Sequence, residues 1–325
     1  MNIQANNLKQ IDFIHRLIEK GNIQKAYLLY QELNKNDYSD GEMFCLLAHI
    51  YGKSGKFAKA KELIIRAIQS DPAQSYNYYV FEEICKQQKN VELRNQYTTN
   101  YYKACFDILK SYLSNKNFLF QVIGVPRSGT TLLTSIIDNQ DNCICFSEPF
   151  WEFTYLNSVS VPVSLSQIIN IKNNKKFFNH PAVVFCKTSM LLASKKIGYK
   201  ETFRATQNPN SDFIENMLSL VDATIAIVRD PRDIWVSTNT RFPGKTAIIT
   251  DQFTSNWNCF TNFVMTKNVV YVKYENLVKG DINCLQTVGN LLNLPNLSLS
   301  NIRKFSAING FGDHNALSGG RVFDT

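Results

Sequence analysis

The chain has 325 residues, 44% of them hydrophobic and 19% charged, with 35 Lys and Arg against 27 Asp and Glu for a formal charge of +8. That balance excludes a disordered or collagen-like chain, and the length predicts two domains. No apolar run approaches the ~20 residues that cross a bilayer, and the opening MNIQANNLKQIDF lacks the basic start and apolar centre of a signal peptide. The eight cysteines form no Cys-x-x-Cys pair, so a cytoplasmic protein with reduced, mostly buried thiols is the expectation. The positive excess suits an anionic ligand without naming one.

Residues 1–115 contain one proline, Pro72, and apolar residues at three- and four-residue spacing, which predicts an all-helical segment. Gly21 and Gly55 stand 34 residues apart, as do Ala26 and Ala60. The second copy, with Leu47, Ala48, Tyr51, Gly55, Ala60, Ala67 and Pro72, resembles a tetratricopeptide repeat (TPR). Its small residues let two antiparallel helices approach, and Pro72 ends the second of them. A third, degenerate unit begins near Ser75, with Tyr78 and Phe81 as packing residues. Such helices either buttress the second domain, with a share in a homodimer, or offer a groove to a protein partner; the buttress is the favoured expectation.

After residue 116 short apolar runs alternate with amphipathic stretches, which predicts a parallel sheet wrapped by helices. The expected organisation is a TPR-like domain over 1–112 and an α/β domain of P-loop type over 116–325. Phe118–Val125 reads as a strand running into Gly124-Val-Pro-Arg-Ser-Gly129-Thr130-Thr131 and then an apolar helix. A glycine-bracketed turn entering a helix aims backbone N–H groups at an anion, and the helix dipole favours the charge. The spacing is that of GxxxxGK[ST], but Thr130 stands where the lysine belongs. This disfavours the hydrolysis of ATP or GTP.

The run Pro126-Arg127-Ser128-Gly129-Thr130-Thr131 after an apolar strand resembles the 5′-phosphosulfate loop of the sulfotransferase superfamily. Those enzymes move a sulfuryl group from 3′-phosphoadenosine 5′-phosphosulfate (PAPS) to an alcohol, phenol or amine. The resemblance implies that Arg127, Ser128, Gly129, Thr130 and Thr131 hold the 5′ end of PAPS. Ala223–Val228 reads as a second buried strand ending at Arg229, and Asp230-Pro231 then caps a helix containing Ser237. By the same resemblance Arg229 and Ser237, eight positions apart, bind the 3′-phosphate. The segment Val269–Leu277 resembles a later strand of these domains and implies that Tyr274 lies near the adenosine.

Sulfuryl transfer needs a base for the acceptor and positive charge for the leaving phosphate. Cys143–Phe146 reads as a short strand ending at Ser147-Glu148-Pro149-Phe150-Trp151. Strand ends of this kind carry the chemistry of open α/β sheets, so Glu148 is the candidate base, as in the tyrosylprotein sulfotransferases and related bacterial enzymes. Phe150 and Trp151 are expected to desolvate it and raise its pKa. Lys187, following a predicted strand at Val183–Cys186, either assists the leaving group together with Arg127, as the resemblance implies, or is a surface lysine. His314 is the reserve base, and Arg321 is a further candidate for the 3′-phosphate.

No metal is implied, no nucleic-acid module is present, and no membrane anchor is expected. The acceptor class is a small molecule, peptide or glycan, with 152–182 and 189–220 expected to line its pocket. Many relatives continue beyond the glycine-rich end at 318–325, so the expectation is either an incomplete C-terminus or a more open site. The alternatives are a P-loop kinase or NTPase, and an inactive repeat-containing protein that holds nucleotide without turnover.

Overall fold

The computed structural model describes residues 2–33, 38–71, 74–88, 91–113, 118–138, 140–150, 181–191, 195–205, 210–241, 246–295 and 297–299. The chain divides into two compact units, one built on residues 1–104 and one from residue 105 onward. The candidate positions Trp151, His314 and Arg321 lie outside the described residues.

The first unit holds the helices α1 (Asn2–Glu19), α2 (Ile23–Glu32), α3 (Asp40–Lys53), α4 (Phe57–Ser70), α5 (Ser75–Gln88) and the start of α6 (Val91–Tyr112). Two of its helix ends close with the same pair of backbone bonds. At the end of α1, Gly21 N–H bonds to Ile18 C=O at 3.0 Å and Asn22 N–H to Leu17 C=O at 2.9 Å. At the end of α3, Gly55 N–H bonds to Gly52 C=O at 3.1 Å and Lys56 N–H to Tyr51 C=O at 2.9 Å. Both glycines are left-handed, with φ of 79° and 75°. The pair of bonds is the Schellman closure, which favours glycine at its left-handed position. Ala26 and Ala60 follow each turn and are completely buried, so each small side chain sits where neighbouring helices meet. Ser39 and Glu42 close a capping box on α3. Tyr78 and Phe81 of α5 are fully buried and pack edge-on against Tyr97 of α6.

The second unit is an α/β domain. Its strands are β1 (Leu119–Gly124), β2 (Cys143–Ser147), β3 (Lys196–Thr202), β4 (Ala223–Val228) and β5 (Val270–Lys273). They form one all-parallel sheet in the order β2-β3-β1-β4-β5. The helices are α7 (Thr130–Asp138), α8 (Pro181–Leu191), α9 (Ser211–Met217), α10 (Pro231–Arg241), α11 (Thr246–Thr266), α12 (Tyr274–Val278) and α13 (Ile282–Leu292). Side chains alternate between the faces of a strand. On one face Phe120, Val122, Ile225, Ile227 and Val272 pack on α7, α12 and α13 in a continuous core. On the other, Phe150, Phe185, Tyr199 and Phe213 form an aromatic cluster with centroids 5.0–5.7 Å apart.

From β1 the chain goes first to one side of the sheet, β2 and β3, and then to the other, β4 and β5. The crevice at the carboxyl end of β1 is therefore a switch point, where open α/β sheets bind ligands. One expected strand is corrected. Val183–Cys186 lies inside α8, where Ala182, Val183, Phe185, Cys186 and Ser189 are buried at helical spacing. Pro181 begins that helix, a position proline suits. A four-residue apolar run fits either element, and here the proline and the three-to-four spacing decide.

None of the eight cysteines is in a disulfide, and all but Cys259 are buried. Among the described residues no helix is long and apolar enough to cross a membrane.

Candidate functional site

Three strand ends meet at the switch point. After β1 the chain turns through Arg127, whose φ is 68°, and Gly129, whose φ is 99°, and enters α7 at Thr130. Gly129 is required twice over: its backbone is left-handed, and a Cβ there would lie 2.3 Å from Tyr274 Cδ2. The first N–H groups of α7 have no partner within their own helix and face the loop. Ser128 Oγ is fully buried and has no hydrogen-bond partner among the described residues. A buried orphan donor in such a loop fits an anion.

The 3′-side candidates cluster with this loop. Arg229 follows β4; its guanidinium lies 4.2 Å from the Tyr274 ring centre, and its Nη1 donates to Arg127 C=O at 3.2 Å. Its Nε is buried with no partner among the described residues. Asp230 caps α10 by accepting from Arg232 N–H at 2.8 Å, and it pairs with the exposed Arg232 rather than with Arg229. Ser237, in the second turn of α10, accepts from Arg127 Nε at 3.1 Å. Arg127, Arg229, Ser237 and Tyr274 thus form one connected group at the loop between β1 and α7.

Glu148 follows β2 with a φ of 49°. Its N–H donates to Lys200 C=O at 2.9 Å, and Thr202 Oγ1 donates to its Oε1 in a short contact. Lys200 Nζ lies 3.5 Å from the same oxygen and donates to Thr131 Oγ1 at 2.9 Å. β3 therefore brings a lysine to the start of α7. Lys200 stands opposite Val122 of β1 and Thr202 opposite Gly124, so both reach the loop from the neighbouring strand.

Two expectations are corrected here. Lys187 lies in α8, not at a strand end, and its side chain is outside the described residues; the lysine brought to Glu148 is Lys200. Second, the pKa of Glu148 is lowered rather than raised, and the Phe150 ring packs into the aromatic cluster on the other face. Burial favours the protonated form of Glu148, but Lys200, Arg204 and the hydrogen bonds from Thr202 and Lys200 outweigh it and hold the carboxyl below the ordinary glutamate range. The raised carboxyl is Glu201. It is fully buried, and burial, followed by the charge of Glu148, pushes it to about 8 against the pull of Arg204, Phe150 N–H and Lys200.

Sequence reading missed Lys200, Glu201, Thr202 and Arg204. The available signal was the run Lys196-Ile-Gly-Tyr-Lys-Glu-Thr202, which alternates Ile197, Tyr199 and Glu201 against Gly198, Lys200 and Thr202 as a strand should. Arg204 donates to Thr202 C=O at 3.2 Å, and Asn210 Nδ2 donates to the same carbonyl at 2.9 Å. Those bonds fix the turn that leaves β3.

Compared with known protein families and curated proteins, the chain matches no family model and no curated sequence. Among the described residues no group of three or more His, Cys, Asp and Glu side chains is arranged to hold a metal ion.

Proposed function

We propose that the protein is a PAPS-dependent sulfotransferase, with Glu148 as general base and a TPR-like helical unit preceding a P-loop-type α/β domain. The observation that carries this reading is the Glu148–Lys200–Thr131 contact. It puts a carboxylate base and an ammonium cation side by side at the mouth of a phosphate-type loop. PAPS would supply the transferable sulfuryl group; the chain supplies everything else. Thr130, Thr131, Gly129 and Ser128 line the place for its 5′-phosphate. Arg229 and Ser237 would take the 3′-phosphate, with Tyr274 beside Arg229 as a flat apolar surface.

Glu148 is held ionised and so is ready to accept a proton from an acceptor hydroxyl. Lys200 and Arg127 bring positive charge to the oxygen that leaves with the 5′-phosphate. The loop's own sequence contributes donors but no ammonium, and β3 delivers one.

Lys200 also supports a second reading. A lysine beside Thr131 restores the cation that a P-loop kinase or NTPase requires, although from another strand. Titration with adenosine 3′,5′-bisphosphate (PAP) and, separately, with ATP and Mg²⁺ separates the two. Micromolar binding of PAP with weak binding of ATP supports the sulfotransferase; the reverse result overturns it in favour of the kinase. The acceptor, whether small molecule, peptide or glycan, is then found by screening transfer once PAP binding is established. A protein-binding or dimerising role for the helical unit is a separate proposal, tested by the oligomeric state of residues 1–112 joined to the remainder of the chain.

A further inference from the structure

Among the described residues, Glu201 is the fully buried carboxyl near the site that the chemistry above leaves unused. It lies between Lys200 and Thr202 on β3, so its side chain leaves the strand on the opposite face. There its Oε1 accepts the N–H of Phe150 at 3.2 Å. Its Oε2 is buried with no partner among the described residues. A buried acid is costly to keep unless it performs a task.

The task is visible in the loop it touches. Glu148 occupies a left-handed backbone conformation, φ 49°, which a glutamate adopts only under constraint. Two bonds from β3 fix that loop. The Lys200 carbonyl takes the N–H of Glu148, and the Glu201 carboxyl takes the N–H of Phe150 two residues on. The Phe150 ring is meanwhile locked among Phe185, Tyr199 and Phe213. One strand thus holds the loop that carries Glu148 from both of its faces, through Lys200 and Thr202 on one and Glu201 on the other.

We propose that Glu201 is a positioning residue for Glu148: by holding the Phe150 N–H it keeps the strained loop in place and the Glu148 carboxylate against Lys200 and Thr202. The inference rests on reading Glu148 as the base for its functional meaning, but not for its geometry. The charged and titratable groups facing Glu201 are Glu148, Arg204 and Lys200, with the Tyr199 phenol on its own strand face. Since Glu201 is protonated below neutrality, removing it changes no charge in the range where Glu148 titrates. Any change in the Glu148 titration then reports displacement of its carboxyl.

The test follows the Glu148 carboxyl by carbon-13 NMR in the full chain without ligand, for wild type, Glu201→Gln and Glu201→Met. Glutamine keeps a carbonyl acceptor for Phe150 N–H; methionine fills the space with none. The expected result is an unchanged low titration in Glu201→Gln and about a tenfold gain in proton affinity at Glu148 in Glu201→Met. A Glu148 titration in Glu201→Met equal to that of wild type overturns the inference. Exchange of the Phe150 amide, faster in Glu201→Met by at least tenfold and protected in Glu201→Gln, is the second measurement; equal protection in both variants also overturns it. PAP binding read on the same samples keeps the two claims apart. Failure of wild type to bind PAP sinks the sulfotransferase reading, while the carboxyl titration still decides the role of Glu201.

Discussion

Arg127 Nε donates to Ser237 Oγ at 3.1 Å, joining the loop after β1 to the second turn of α10 across 110 residues of sequence. The same serine is the candidate ligand of the 3′-phosphate, and Arg229 Nη1 holds the carbonyl of Arg127. The two ends of the proposed nucleotide site are therefore mechanically connected. Ser237→Ala is expected to weaken PAP binding by about tenfold and leave adenosine 5′-monophosphate binding within about twofold, since one hydrogen bond to a charged group contributes about 1.5–3 kcal/mol. Arg229→Ala should lose more, because its Nε is a buried orphan donor. Calorimetric titration with both nucleotides checks this; equal losses for the two ligands would place Ser237 away from the 3′-phosphate.

Glu148→Gln removes the base while keeping the shape. PAP affinity should stay within about threefold, and sulfuryl transfer to an accepted substrate should fall by about 10²–10⁴, the range of general-base contributions. Transfer at the wild-type rate would refute the assignment.

Lys200→Met deletes the cation that touches both Glu148 and Thr131. The Glu148 pKa lies below its ordinary value, with Lys200 the leading cause of the lowering. Its loss should raise that pKa and move the acid limb of the pH–rate profile to higher pH. Above that limb the rate should still fall, by about 10²–10³, for want of charge stabilisation at the leaving oxygen. A pH profile of single turnovers separates the two effects.

Gly129→Ala meets both a left-handed backbone and the Tyr274 ring 2.3 Å from the new Cβ. The loop must shift or Tyr274 must move, at a cost of about 1–3 kcal/mol or more. PAP binding should be lost before the fold is, so affinity and thermal midpoint measured together check the expectation. A variant that binds PAP normally would remove Gly129 from the site.

Glu201 carries a stability signature of its own. Its folded pKa is raised to about 8, whereas the unfolded carboxyl titrates near ~4.3. Between those values the unfolded chain has released a proton that the folded chain keeps, so stability falls as pH rises and levels off above about 8. Glu201→Gln abolishes that slope. At pH 8 it should be the more stable protein, relative to pH 5, by on the order of a few kcal/mol. Denaturant midpoints at the two pH values measure it.

The four strands β1, β2, β4 and β5 were legible because each is a short, mostly apolar run ended by a turn or a cap. The strand–helix unit that carries Arg229 and Ser237 was legible from its apolar run and the Asp230-Pro231 cap, and both residues contact Arg127. The helical character of the first unit was legible from its apolar spacing, and Gly21 and Gly55 mark two turns closed by matching backbone bonds. β3 was not, since Lys200 and Glu201 together read as solvated surface, while burial of both follows only from neighbours on β1 and β2. Helix α8 reads as a strand because four apolar residues carry no period of their own. The lysine of the site then falls to Lys187 by default. Motif spacing is read along the chain, but Lys200 joins the loop across a parallel pairing.

That pairing has a consequence for how such a site is specified. The polarity of the site is set by alignment between β3 and β1, Lys200 beside Val122 and Thr202 beside Gly124. A slip of a single residue would turn Lys200 and Thr202 into the aromatic layer and swing Glu201 towards the loop. Glu148 would then face a second acid where an anion should bind. The side of the sheet on which Lys200 and Thr202 stand is thus a property of strand alignment, enforced by Phe120 lying over Gly198, whose added Cβ would come within 2.0 Å of the ring. An apolar contact in the middle of the sheet keeps the sign of the electric field at its edge.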